Sequence, residues 1–163
     1  MNRRSITLLT AALLCLGAFS DARADETLKF RTITHTTFAQ SQDIGDVEGH
    51  VASLVRFSGL ASFPDGTVGA VYFTAATDYT KGAGTFSLYQ NLTLDDGSVL
   101  WYKAAGTATV DGTKTHFVGT VTVLGGKGRF EGAKGDGSLT GTRYNPLVVG
   151  AQLVSDYTIN IKK

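Results

Sequence analysis

Residues 125–141 read GGKGRFEGAKGDGSLTG: seven of these seventeen residues are glycine, and Phe130 and Leu139 are the only large apolar side chains among them. Glycine costs a helix interior about 1 kcal/mol per residue relative to alanine, so the segment is turn, bulge and strand. A β-type run, Thr115 to Leu124, precedes it, and a further strand ending near Arg143 follows. The glycines therefore let a sheet turn sharply onto itself, which is how barrels are closed.

Outward from that corner, the chain between Asp25 and Lys163 shows no apolar residues at helical spacing over more than a turn or two. Thr, Val, Tyr and Phe recur instead in short runs punctuated by Gly and Asp, so the domain is expected to be all-β. A first strand, 27–38, sets Leu28, Phe30 and Thr32 against Lys29, Arg31 and Ile33, and a polar loop, 39–48, follows it. A second strand, 50–63, carries Gly59 as an expected bulge and ends at Pro64-Asp65-Gly66. The third, 67–77, leads into Asp78-Tyr79 and a Gly82-Ala83-Gly84 loop. The fourth, 85–94, is joined to the fifth, 98–110, by Asp95-Asp96-Gly97. The sixth aligns Phe117, Gly119, Val121 and Val123, the corner supplies the seventh, and 152–162 makes the eighth. Eight antiparallel strands can close into a barrel or split into a sandwich. Apolar or small residues on both strand faces, with glycines at 59, 69, 106 and 119 inside strands, favour an eight-stranded antiparallel barrel with room for one small ligand or for filling side chains.

Residues 1–24 read as a signal peptide: Arg3 and Arg4, the apolar run from Ile6 to Phe19, and Ala22-Arg23-Ala24 before a cleavage expected near Ala24. An exported protein, periplasmic or secreted and without a membrane anchor, would then consist of one domain, 25–163. Cleavage removes the only cysteine, Cys15, so no disulfide or thiol chemistry is expected. The chain has 15 basic and 14 acidic residues; without Arg3, Arg4, Arg23 and Asp21 it has 12 and 13, hence a net charge of −1. Its cations are scattered singly, which argues against nucleic acid as a partner.

The corner residues Gly125, Gly126, Gly128, Phe130 and Gly132 resemble the G-G-x-G-x-F-E-G corner of plant allene oxide cyclases. The continuation Ala133-Lys134-Gly135 resembles the A-R-G that follows it in dirigent proteins. Gly45-Asp46-Val47 is similar to the G-D-L before the second strand of those families. The resemblance implies a small calycin-like barrel, often a homotrimer, with an apolar cavity. The activity it implies is cofactor-free steering of a reactive intermediate into one cyclisation or coupling product, as by an isomerase or a stereochemical guide. The catalytic residues do not carry over: where allene oxide cyclases place Phe and Asn this chain has His50 and Ala52. Its first strand offers Thr32, Thr34, His35 and Thr36 in place of a Glu-x-Asn pair, and the dirigent Asp and Arg set has no clear counterpart.

No phosphate loop, dinucleotide fingerprint, calcium repeat or nucleophile elbow is present, and His35, His50 and His116 are too scattered to suggest zinc, so neither cofactor nor metal is expected. His50 and Tyr79 are the candidate catalytic residues, able to orient a substrate or move a proton. Arg56, Tyr89, Trp101, Lys103 and Tyr157 are candidate ligand contacts, with core or trimer packing the alternative for the rings and an outward register the alternative for the cations. Three functions remain open: a cofactor-free cyclase or guide, a carrier for a small apolar molecule, and a structural module whose barrel is plugged by its own side chains.

Overall fold

The structure, a computed structural model, describes residues 25–162; the expected leader with Cys15, and Lys163, lie outside them. Eight strands form one closed antiparallel up-and-down barrel, each paired with its neighbours in sequence and β8 with β1. They are β1 (Glu26–Asp43), β2 (His50–Ser62), β3 (Val68–Thr80), β4 (Ala83–Leu94), β5 (Val99–Asp111), β6 (Lys114–Lys127), β7 (Lys134–Arg143) and β8 (Gln152–Lys162). A single 3₁₀ turn, Gly128–Phe130, bridges β6 and β7. The expected architecture is thus found, with no sheet edge left unpaired among the described residues.

Period-2 alternation makes the lumen. Leu28, Phe30, Thr32, Thr34 and Thr36 of β1 are buried in turn while Lys29, Arg31, Ile33 and His35 are exposed. A row of buried threonines is tolerable because each hydroxyl donates to a backbone carbonyl on or next to β8: Thr32 to Ser155, Thr34 to Leu153 and Thr36 to Ala151. On the outside of the same seam Arg31 lies opposite Asp156 and donates from Nε and Nη2 to its two carboxylate oxygens, both at 2.8 Å. Asp156 therefore faces solvent, and the hydrogen bond from Arg31 holds its pKa below the usual carboxylate range.

Several boundaries differ from expectation. β1 runs on to Asp43, paired with Val51, so the first half of the anticipated 39–48 loop is strand. Gly59 pairs in register with Thr34, and the bulge falls at Thr36/Phe38. β3 continues to Thr80, which carries Tyr79 inward rather than into a loop. Gly106 and Gly119 lie directly opposite each other on β5 and β6. A side chain on Gly106 would meet the Val118 carbonyl, so here the strands bend closely enough to exclude any Cβ.

The corner closes one end of the barrel. Phe130 is fully buried, with Arg129 over its ring at 4.8 Å. Gly126 leaves the room that the Phe130 backbone and Cβ occupy, and Gly128 turns with φ +64° against Ser98. The Ser98 hydroxyl accepts the Arg129 amide, and Arg129 Nη2 donates to Glu26 at 3.1 Å, tying the corner to the turn before β5 and to β1. Next to this end, Phe30 stacks on Tyr157 (5.0 Å) and contacts Phe63 (5.2 Å). The glycine-rich stretch is a turn that seats a plug.

Candidate functional site

At the opposite end, β7 delivers Arg143 and β3 delivers Thr77 and Tyr79 into the lumen, and the 144–151 loop crosses above them with Leu147 packed against the core. Between these and an apolar wall that includes Val55, Phe73, Phe86, Phe117 and Leu153 lies a cavity of about 40 Å³. That is space for two or three waters at roughly 15 Å³ each, so side chains fill most of the barrel. Larger depressions, of about 390 and 420 Å³, lie on the outer surface beside Arg31 and Asp156 and are open to solvent.

The cavity joins apolar wall to buried polar groups. Arg143 is 6% exposed; its Nε donates to the Asn145 carbonyl and its Nη2 to Thr115 Oγ1, both at 3.0 Å, and its guanidinium lies 5.6 Å from the Phe117 ring centroid. No carboxylate among the described residues lies within ion-pair distance of it. Burial pulls its pKa down, against the nearby Tyr79 phenol, which favours the charged form. Burial pushes the Tyr79 phenol up to about 12, although Arg143 opposes this, so it is a neutral donor at ordinary pH. The Tyr79 hydroxyl has no hydrogen bond of good geometry, and neither does Thr77 Oγ1. Deeper in, Tyr157 donates to Gln90 Oε1 at 3.0 Å, while Gln90 Nε2 and the Tyr102 hydroxyl have no partner. Burial also raises the Tyr157 phenol.

Of the residues singled out from sequence, Tyr79 and Tyr157 line this cavity. His50 sits half-buried at the same rim, on the outer side, with Nδ1 at 2.5 Å from Asp46 and Nε2 at 2.7 Å from Asp78. Ionised carboxylates only accept, so both ring nitrogens donate and the imidazolium is the form that fits. The bond to Asp78, then that to Asp46, raises the His50 pKa, and His50 lowers that of Asp46. The cluster fastens the 44–49 loop to β3.

Arg56, Tyr89, Trp101 and Lys103 point away from the lumen. Val55 and Phe57 take the inward positions on β2, and Arg56 lies outside over the Phe38 ring at 5.3 Å. On β5 the inward register belongs to Tyr102 and Ala104, which puts Trp101 and Lys103 outside. Lys103 is directly opposite Tyr89, and the two share a shallow outer depression. The residue that sequence reasoning passed over is Arg143. Its signal was parity: it lies four residues beyond inward-facing Leu139 on the same strand.

No protein-family model matches the chain, and no curated protein does. Among solved structures it is similar to a conserved protein of unknown function from Rhodopseudomonas palustris, at 15% identity and a TM-score of 0.55, over 85% of this chain and 99% of that one. It is also similar to a pterocarpan synthase dirigent protein, at 12% identity and a TM-score of 0.50, over 96% of this chain and 98% of that one. At these identities the likeness is one of fold, and the barrel is dirigent-like.

Proposed function

We propose that the chain is an exported barrel, released by cleavage near Ala24, that binds a small, mostly apolar molecule in the lumen end beneath Leu147 and constrains its conformation, as a stereochemical guide or a cofactor-free cyclase would. One observation supports this reading above the others: the Thr77 hydroxyl, which has no hydrogen bond, the Tyr79 phenol, whose oxygen lies beside Arg143, and the Arg143 guanidinium line one cavity whose remaining wall is apolar. Confinement by that wall limits the conformers of a bound molecule, and Tyr79 supplies a neutral donor to orient it. His50, outside the rim, supports the loop beside the mouth. Entry requires Leu147 to move aside, because ligand pockets are roughly 300–1,000 Å³ and the closed cavity is about 40 Å³.

Native mass spectrometry of protein purified from its own host tests this. A retained small molecule is expected, lost in Ala75→Phe, which fills the cavity; a bare mass, together with no binding of the neutral probe N-phenyl-1-naphthylamine, contradicts it. The small closed volume favours a second reading, a structural module with a plugged barrel. That reading expects no probe uptake even in Leu147→Ala, whereas the first expects tighter uptake. The oligomer we propose is a trimer, supported by outward apolar side chains such as Ile33 and Leu60, which are opposite one another and 61% and 57% exposed.

A further inference from the structure

Among the described residues the lumen holds one buried cation, Arg143, whose partners are all neutral. Elsewhere in the described residues the cations that make ion pairs do so at the surface or the rim: Arg31 with Asp156, Arg129 with Glu26, Lys81 with Glu48, His116 with Asp111, and His50 with Asp46 and Asp78. Arg143 is buried instead among an aromatic ring, a threonine hydroxyl, a backbone carbonyl and the neutral Tyr79 phenol. Neutral acceptors orient the guanidinium but bring no counter-charge, and burying a charge without one is costly. A neutral donor would anchor Asn145 and Thr115 equally well, so the charge itself calls for another explanation.

We propose that Arg143, with the hydroxyls of Tyr79 and Thr77, forms a carboxylate site, and that the molecule taken into the lumen is an apolar carboxylic acid bound as its anion. This rests on the lumen-binding reading above and names the class of ligand. Beyond the Nε bond to Asn145 and one Nη2 bond to Thr115, the guanidinium has Nη1 and a second Nη2 N–H, and that edge matches a carboxylate with two parallel N–H···O bonds. Tyr79 and Thr77 each offer an O–H with no other partner of good geometry. A single cation balances a monoanion, whereas a phosphate dianion would leave net negative charge against Phe86, Phe117 and Leu153. Those side chains receive the apolar remainder of the acid.

The test is displacement of N-phenyl-1-naphthylamine from the full chain at pH 7 by decanoate, decan-1-ol and decyl phosphate, which share one tail. Decanoate is expected to compete at least about tenfold better than decan-1-ol and better than decyl phosphate. Arg143→Met should erase the difference between decanoate and decan-1-ol while still binding the dye, and Tyr79→Phe should reduce it several-fold. Equal competition by acid and alcohol in the wild type, or a preference that survives Arg143→Met, overturns the carboxylate site and leaves lumen binding standing. Stronger competition by decyl phosphate also overturns it. A wild-type chain that takes up neither dye nor decanoate defeats both readings. Should Arg143→Met lose its β-sheet circular dichroism, the wild-type acid-to-alcohol ratio and Tyr79→Phe decide.

Discussion

Replacing Phe130 with alanine removes the plug on which the corner is built. The ring is fully buried, and an aromatic side chain hides roughly 150–250 Å² on folding. At about 25 cal/mol per Å² this is worth up to about 4–6 kcal/mol, an upper bound because the unfolded chain already hides some of that surface. Measured Phe→Ala losses in cores, about 3–5 kcal/mol, agree. Gly126 is held by pairing with Leu100 and Ser98 by the Leu94 amide that donates to its carbonyl, so they cannot fall inward to fill the gap, and Arg129 loses the ring beneath it. Against a total of about 5–15 kcal/mol for a domain, Phe130→Ala should lower the urea midpoint by about a fifth or more and the melting temperature by roughly 10–20 °C. Val118→Ala, on the outer face, is the control and should cost under about 1 kcal/mol. Urea titration followed by circular dichroism reads both. A loss below about 1 kcal/mol for Phe130→Ala would refute the plug and make the corner a solvent-facing turn.

Other outcomes follow from the same geometry. Gly106→Ala must push its Cβ into the Val118 carbonyl and should cost about 1–3 kcal/mol in urea titration. Tyr157→Phe strands the Gln90 amide oxygen in the core and should cost about 1–3 kcal/mol by the same assay. Arg143→Met gives up two hydrogen bonds but also a buried charge, so its melting temperature should stay within a few degrees of the wild type; a drop beyond about 3 kcal/mol would make Arg143 a structural residue. The raised pKa of His50 means its stabilisation is full below the ordinary histidine pKa near 6.5 and is lost as pH rises through the raised value. Asp46, with its lowered pKa, contributes above 3.8 and loses that contribution as pH falls through its folded value. Melting temperature should accordingly fall as pH rises above the ordinary histidine value near 6.5, and His50→Gln should flatten that slope in a thermal-shift series.

The barrel was readable because alternation and turn chemistry agree at nearly every step: Asp95-Asp96-Gly97, Asp111-Gly112 and the corner glycines all fall where strands reverse. Length was harder to read. Asp78-Tyr79 has turn composition, yet pairing with Gly84 keeps it in the sheet, and that extension takes Tyr79 into the cavity. Facing was ambiguous on β5, where Val99 and Trp101 alternate with Leu100 and Tyr102, so both faces read as apolar. The bulge between Trp101 and Tyr102 settles the register there through tertiary packing with β6, which local sequence does not express. Arg143 escaped notice because a lone arginine near a strand end reads as a solvated cation; only closure of β7 between β6 and β8 makes that position interior. Asn145-Pro146 has turn composition and marks the 144–151 loop, but the packing of Leu147 over the lumen depends on the barrel that the loop covers.

Selectively methyl-labelled protein with bound decanoate tests most directly whether the chemistry lies inside the barrel. Nuclear Overhauser contacts from the decanoate chain to the methyl groups of Val55, Leu139 and Leu153, which line the cavity, are the expected result. Contacts confined to Ile33, Leu60 and Val118, all on the outer wall, would place the ligand on the surface and contradict the account.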